Sequence, residues 1–274
     1  MKEATKAYVS VIIPCYRCAT TIARAVSSVA EQIFRPAEVI LVDDASGDAT
    51  LEIINSLKNQ YGSWVKVVEL KKNVGAASAR NAGWNLATQP YIAFLDSDDA
   101  WHPRKVEIQY GYMSNNSSVV MSGHLFRELP EDVVDKLNWP VELLSIQKVT
   151  WKQLQFKNPF VTPSVMLKKD IPFRFSEGKR YMEDYLLWME IVGANLVVVK
   201  LNIELAAIFK PMYGVSGLSS NLWLMEKAEL SNYKYLYSQN KLNFLQYTFF
   251  KTFSFIKFIR RLLIVHVIRR FRIK

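Results

Sequence analysis

Residues 91–101 read YIAFLDSDDAW, an apolar run of Tyr91, Ile92, Ala93, Phe94 and Leu95 that stops abruptly at Asp96, Ser97, Asp98 and Asp99. A short continuous apolar run closed by polar residues is the pattern of a strand covered on both faces, as in parallel sheets flanked by helices. Toward the N-terminus the pattern recurs. Residues 9–14 (VSVIIP) lead into Cys15 and Tyr16, residues 39–43 (VILVD) lead into Asp44, Ala45 and Ser46, and residues 65–70 form a further apolar run. Helical spacing fills the intervals: from Thr20 or Thr21, either of which can cap, to about residue 32; from a cap at Asp48 to about residue 60; and over 76–88. This alternation predicts an α/β fold with a Rossmann-like, mostly parallel sheet, whose ligand lies beyond the carboxyl ends of the strands.

Toward the C-terminus the pattern loosens. An insertion is expected around 128–141, then a Trp/Phe-rich stretch to residue 160, a helix over 181–192 and a strand over 196–203. At 274 residues, 50% hydrophobic and 22% charged, the chain has the composition of one globular catalytic domain with an appendage. Its net charge of +10 is concentrated at one end: Lys241, Lys251, Lys257, Arg260, Arg261, Arg269, Arg270, Arg272 and Lys274 face no acidic residue after position 240. The remainder is nearly neutral, which argues against a nucleic-acid partner, since such a partner calls for basic residues spread over a folded face.

The basic segment is also aromatic. Phe255, Phe258, Ile259, Leu262 and Leu263 recur at helical spacing, while Lys251, Lys257, Arg260 and Arg261 interrupt every window long enough to span a bilayer. Two expectations follow: a basic amphipathic helical tail lying on an anionic membrane surface, or a helix packed against the domain. With no apolar leader-like run ahead of residue 9, the expected location is cytoplasmic, peripheral on the inner face of the cell membrane. A protein held there would meet lipid-linked molecules.

The carboxylates carry the chemistry. Asp96, Asp98 and Asp99 lie within four residues, and like charges so close repel one another unless a cation neutralises them. Hard oxygen ligands suit Mg²⁺ or Mn²⁺, which can stabilise charge building on a departing diphosphate. The alternative is that Asp98 or Asp99 caps a helix starting near Pro103. Asp43 and Asp44 can accept hydrogen bonds from a base or ribose; the alternative for this segment is a turn and helix cap formed by Ser46 and Asp48. Glu183 and Asp184 open an apolar helix, where they either complement the helix dipole or supply a base that takes a hydroxyl proton.

Five segments in this order, VSVIIPCY (9–16), VDDASGDAT (42–50), NVGAASARNAG (73–83), FLDSDDAW (94–101) and YMEDYLLWMEI (181–191), resemble family 2 glycosyltransferases with the GT-A fold, of the bacterial surface-polysaccharide type. The resemblance implies a nucleotide-sugar-binding half over 1–115, an acceptor-binding half over 116–225 and the membrane-associating tail over 226–274. It implies Pro14 and Tyr16 at the nucleobase, Asp43 and Asp44 on base or ribose, and Arg80, Asp96 and Ser97 at the nucleotide. Asp98, with Asp96, would bind Mn²⁺ or Mg²⁺. It implies the acidic pair, Glu183 and Asp184, as the source of the base for a single inverting displacement; since only one of the two can point at the acceptor, Asp184 is favoured over Glu183. A UDP-sugar donor and a glycan acceptor follow from the same likeness, as does a closing segment at 213–223. Arg17 stands where the family usually carries Asn.

Other readings are weaker. Cys15 and Cys18 form a C-x-x-C, but the acidic strand ends are foreign to a redox pair. His102, His124 and His266 show no metal-ligand spacing. A sugar-phosphate nucleotidyltransferase should carry a Gly- and Arg-rich loop after its first strand, which is absent here. A catalytically inactive nucleotide-sugar-binding scaffold would have lost the acids that Asp96, Asp98, Glu183 and Asp184 retain.

Overall fold

The structure, a computed structural model, describes residues 5–130, 137–209 and 221–272; of Thr5 and of residues 266–272 only the backbone is described. The first 115 residues form β1 (Thr5–Cys15), α1 (Ile22–Ala30), β2 (Phe34–Asp43), α2 (Thr50–Tyr61), β3 (Val65–Glu69), α3 (Ala76–Leu86), β4 (Tyr91–Phe94), β5 (Ala100–Trp101) and α4 (Lys105–Asn115). Strands β1 to β4 are mutually parallel and ordered β3-β2-β1-β4. Beyond β4 the sheet turns mixed. β8 (Met166–Lys168) inserts antiparallel between β4 and β6 (Val119–Glu128), then β9 (Val197–Ile208) runs parallel to β6 and pairs antiparallel with β5 and with β7 (Ile146–Lys148).

The apolar runs become strands because both faces of the sheet are covered. Side chains alternate between faces, so Ile12, Ile40, Val42, Ile92 and Phe94 enter one core with α3 and α6 (Glu183–Gly193), while Val11, Ile13, Val39, Leu41, Ala93 and Leu95 enter the other with α1, α2 and α4. Helix α3 lies so close to β1 that a Cβ on Gly83 would stand 2.6 Å from Ile12 Cγ2, which is why a glycine interrupts an otherwise Ala-rich helix. α6 buries Tyr185, Leu186, Leu187, Trp188, Met189, Ile191 and Val192, and so is apolar nearly all round.

Local signals at the helix starts fare unevenly. Asp48, expected to cap α2, instead stands one residue before Ala49, which occupies the cap position without a side-chain bond, and accepts from the Thr50 amide at 3.0 Å in an Asx-type turn, a correction to that expectation. Thr21 flanks α1 but its hydroxyl donates back to the Cys18 carbonyl and caps nothing, a correction to that expectation. Neither Asp98 nor Asp99 caps α4: β5 intervenes, and the ring of His102 accepts from the Arg104 amide at 3.1 Å instead. Of the expected insertion, 131–136 lie outside the described residues; Trp139 packs against His102, with ring centroids 5.0 Å apart.

The tail is a helical hairpin. α7 (Leu222–Ser238) and α8 (Phe244–Arg272) join through residues 239–243 and fold back on each other. Tyr233 stacks on Phe250, and Phe156 of α5 (Trp151–Phe156) meets the rings of Phe249, Phe250 and Phe253. Here the sequence expectation needs correcting. Phe258, assigned to a lipid-facing stripe, is buried against Trp223, and Lys257 and Arg261 turn inward to the buried carboxylates of Glu229 and Glu226. Phe255, Ile259, Leu262 and Leu263 remain exposed, together with Phe244, Leu245, Phe249, Ile256 and Ile264. Among the described residues no helix is long and apolar enough to cross a membrane.

Candidate active site

Because β1, β2 and β4 run in parallel, their carboxyl ends deliver Pro14 and Cys15, Asp43 and Asp44, and Leu95 to Asp98 to one edge. In register, Cys15 stands opposite Asp43, and the Asp44 amide donates to the Cys15 carbonyl at 2.8 Å. Tyr16 projects from this edge, about half exposed at 46%. Arg17 follows with φ 49°, a left-handed conformation that Asn tolerates better than Arg. Its guanidinium lies over the Tyr16 ring at 5.4 Å, and its amide donates to the Ser46 hydroxyl at 3.2 Å.

Asp43 and Asp44 are both almost fully buried and organise loops. Asp43 accepts from the Ser46 hydroxyl and amide, closing the turn. Asp44 accepts from the Val74 amide at 2.7 Å and the Gly75 amide at 2.8 Å, tying the end of β2 to the start of α3. A nucleoside resting here would meet a floor shaped by these two carboxylates, whose oxygens retain spare lone pairs. Ser46 thus takes the turn position expected of it, through Asp43.

Arg80, which the resemblance brings to the nucleotide, is engaged by two carboxylates. It is 5% exposed, beneath the edge, and donates through Nη2 to Asp96 at 2.8 Å and through Nη1 to Glu183 at 3.0 Å. One guanidinium therefore bridges the first-half aspartate to the acidic helix of the second half. The two carboxylates hold its pKa above the ordinary arginine value despite burial. Asp96 is raised, first by burial and then by Asp98, against the pull of Arg80.

Met182, at φ 53°, turns the chain left-handed just before α6 and swings Glu183 and Asp184 toward this cluster. The pair divides its roles. Glu183 is buried in the Arg80 ion pair, whereas Asp184 is partly exposed, accepting from the Tyr185 amide at 2.6 Å and from the Thr162 hydroxyl at 3.4 Å. Burial, then the Glu183 charge, pushes the Asp184 carboxyl up to about 7. A partly exposed carboxylate with a pKa near neutrality is what proton removal requires.

Sequence reasoning missed four participants. Arg24 of α1 donates to the Asp98 carbonyl at 2.6 Å and stacks on Phe209 at 3.6 Å, pinning the acidic loop. Thr162 orients Asp184. Lys179 is lowered by burial while the Glu183 charge opposes that shift, and Arg180 donates to Asn73 at 3.1 Å across 107 residues of sequence. Arg24 carried no signal, being one charge on an amphipathic helix; Lys179 and Arg180 stood four and three residues before Glu183 and could have been noticed there.

Among the described residues, no group of three or more His, Cys, Asp or Glu side chains is arranged to hold a metal ion by itself. The donor set still fits a hard divalent cation shared with a ligand's phosphates. Asp96, Asp98, Glu183 and Asp184 act on one another electrostatically, and Arg80 and Lys179 leave that group with surplus negative charge. Cys15 and Cys18 are free and buried, and burial raises Cys15 well above the usual thiol range. His102 and His124 are buried and hydrogen-bonded to backbone. The His266 side chain and most of the closing segment, 210–220, lie outside the described residues.

A sequence model described as "Glycosyl transferase family 2" matches residues 10–174. The chain is 30% identical over 187 residues to the Escherichia coli protein described as UDP-Glc:alpha-D-GlcNAc-diphosphoundecaprenol beta-1,3-glucosyltransferase WfgD, covering 68% of this chain and 70% of that one. The crystal structure of S. aureus TarS 1-349 resembles it with TM-score 0.65 at 18% identity, over 90% of this chain and 70% of the other. The same TarS segment in complex with UDP-GlcNAc resembles it with TM-score 0.64 at 20% identity, over 82% and 65%. At these identities the structural likeness speaks for the fold, a mixed sheet flanked by helices.

Proposed function

Since the chain belongs to glycosyl transferase family 2, we propose that it is an inverting hexosyltransferase that moves a sugar from a UDP-sugar to a hydroxyl of a lipid-linked glycan acceptor, in polysaccharide or oligosaccharide biosynthesis. The observation that carries this reading is Asp184: a partly exposed carboxylate held near neutrality beside a buried Arg80 that also binds Asp96. The relative's printed activity, with its UDP-glucose donor and diphosphate-linked acceptor, supports the donor and acceptor classes.

In this reading Pro14, Tyr16, Asp43, Asp44 and Ser97 frame the nucleoside on residues 1–115, residues 116–225 bind the acceptor, and 226–274 form the tail. Asp184 takes the proton of the acceptor hydroxyl as it attacks the anomeric carbon, and the glycosyl–phosphate bond breaks in the same step. Glu183 and Arg80 hold Asp184 and Asp96 in fixed relation, so that attack and departure occur in one geometry. Asp98, with Asp96 beside it, would hold Mn²⁺ or Mg²⁺, which when bound stabilises the charge of the departing diphosphate. Release of UDP from a panel of UDP-sugars, assayed with a polyprenyl-diphosphate-linked sugar acceptor in Mn²⁺, in Mg²⁺ and in chelator, tests the reading; no release from any donor under any condition sinks it.

A pH dependence follows from Asp184. The base works only when ionised, so kcat/KM should rise with pH along an acid limb centred near 7 and flatten above it. A limb centred near 4, the ordinary carboxylate range, would assign proton removal elsewhere.

The tail hairpin lies on the cytoplasmic face of the membrane in this proposal, its exposed apolar side of α8 at the headgroups and Lys251 and Arg260 toward anionic lipid. Glutamate at both Ile256 and Leu263, each exposed at 61% and 62%, should shift the protein from vesicle-bound to free without altering its melting temperature. Deleting α8 instead would strip the Phe156 and Tyr233 contacts and confuse anchoring with folding.

A further inference from the structure

A cavity of about 470 Å³ opens where β7, α5 and β9 meet. Phe156 and Pro159 supply its apolar wall, and Lys148, Lys152, Lys157 and Lys200 stand around it, with no Asp or Glu in the lining. The four lysines come from β7, from the two ends of α5 and from β9, so the fold itself gathers them. Among the described residues none of the four forms an ion pair. Burial, and then the charge of Lys157, lowers Lys200. Like charges held around one concavity repel, and an anion entering between them removes that repulsion. Ammonium groups on flexible stems suit phosphate, which they meet as point charges.

The position narrows the ligand. On one flank Phe156 packs its ring against Phe249, Phe250 and Phe253 of α8, the helix whose outer side is apolar and exposed. On the other, Pro159 is three residues from Thr162, whose hydroxyl reaches Asp184 at 3.4 Å; three residues span at most about 11 Å. The donor edge is elsewhere: from β1 to β9 the sheet crosses β4, β8 and β6, about 19 Å at the usual strand spacing. We propose that this lysine-ringed cavity binds the phosphate-bearing headgroup of a lipid, with the acceptor's own diphosphate as its occupant. The assignment rests on the reading of a lipid-linked acceptor given above. It explains how one enzyme can hold a lipid tail beside α8 and present the sugar next to that diphosphate to Asp184.

The test uses the full chain and no donor, so a protein inactive in UDP release would sink the transfer reading without touching this one. Flotation is measured on phosphatidylcholine vesicles alone, on the same vesicles carrying a polyprenyl diphosphate, and on vesicles carrying phosphatidylglycerol at equal charge, each with and without inorganic diphosphate as competitor. Wild type should bind the diphosphate vesicles more tightly than phosphatidylcholine alone, and inorganic diphosphate should displace it. Lys157→Ala with Lys200→Met should weaken that binding about tenfold or more, while Lys58→Ala on α2 leaves it unchanged. Loss confined to the diphosphate vesicles identifies the acceptor headgroup. Equal loss on phosphatidylglycerol keeps the phosphate site and names bulk anionic lipid as its source. Unaltered binding by the double variant on both, or wild-type binding no tighter with diphosphate lipid than without, overturns the proposal; melting curves of each variant confirm folding.

Discussion

Asp184→Asn is expected to lower turnover by about three orders of magnitude while leaving donor KM within a few-fold of wild type. Asparagine keeps the shape: its Oδ1 can still accept from the Tyr185 amide, and its Nδ2 can donate to the Thr162 hydroxyl oxygen, so the local geometry survives. What it cannot do is take a proton. The loss should therefore fall on kcat, measured as UDP release at saturating donor and acceptor, and a loss confined to KM would make Asp184 a binding residue only. Stability should move the other way. The folded carboxyl sits at about 7 against an ordinary 3.8, so between those values the folded chain binds more protons than the unfolded one. Wild-type stability from this group is greatest at low pH and declines as pH rises toward 7. The variant lacks that decline, so its melting temperature should gain on wild type between pH 4 and pH 8. A difference that stays constant over that range would show that Asp184 is solvated and ordinary.

Arg80→Met should cost about 3–5 kcal/mol of folding stability, the usual consequence of removing one partner from a buried ion pair. The guanidinium is 5% exposed and satisfies Asp96 and Glu183 at once, so the substitution strands Glu183, which water reaches poorly, and leaves the partly exposed Asp96 without its partner. Acid should soften the defect, because protonated carboxyls no longer need a cation. Combining Arg80→Met with Glu183→Gln should destabilise by less than the sum of the two single changes, since both remove the same interaction. Denaturant melts at pH 5 and pH 8 measure each point; a loss under about 1 kcal/mol would mean that solvent or Lys179 compensates the acids. Activity should be lost as well, through the position of Asp96 and Asp184.

Much of the fold of the first 115 residues was legible because its signals are local. Strands such as β1 and β2 announce themselves through continuous apolar runs, and a parallel sheet puts the residues that follow each run at one edge, so Asp43, Asp44, Asp96 and Asp98 were found as a group. The acidic pair was legible as the start of α6; the family likeness pointed to the pair as a base without deciding between its members. Partnership was not legible. Arg80 belongs to a motif, yet its two acceptors lie 16 and 103 residues away, and nothing local shows that it would sit below the edge. The same holds for Asp44, whose partners are 30 and 31 residues on. In the tail, periodicity placed Phe258 and Lys257 on a membrane face because helical spacing marks a stripe without saying what covers it; α7 covers it, through Glu226 and Glu229.

By itself, then, the order of residues determined the alternation of strand and helix, the edge at which carboxylates collect, and the basic character of the tail. Each follows from backbone periodicity and composition over a few consecutive residues, which no distant contact has to supply. Tertiary structure alone decided which charges are paired and which remain free to act. It turned Arg80 into a bridge, left Asp184 poised near neutrality, folded Lys257 and Arg261 inward and drew four lysines around one cavity. Those outcomes depend on desolvation and on distances between groups far apart along the chain, quantities that exist only once the chain has closed on itself.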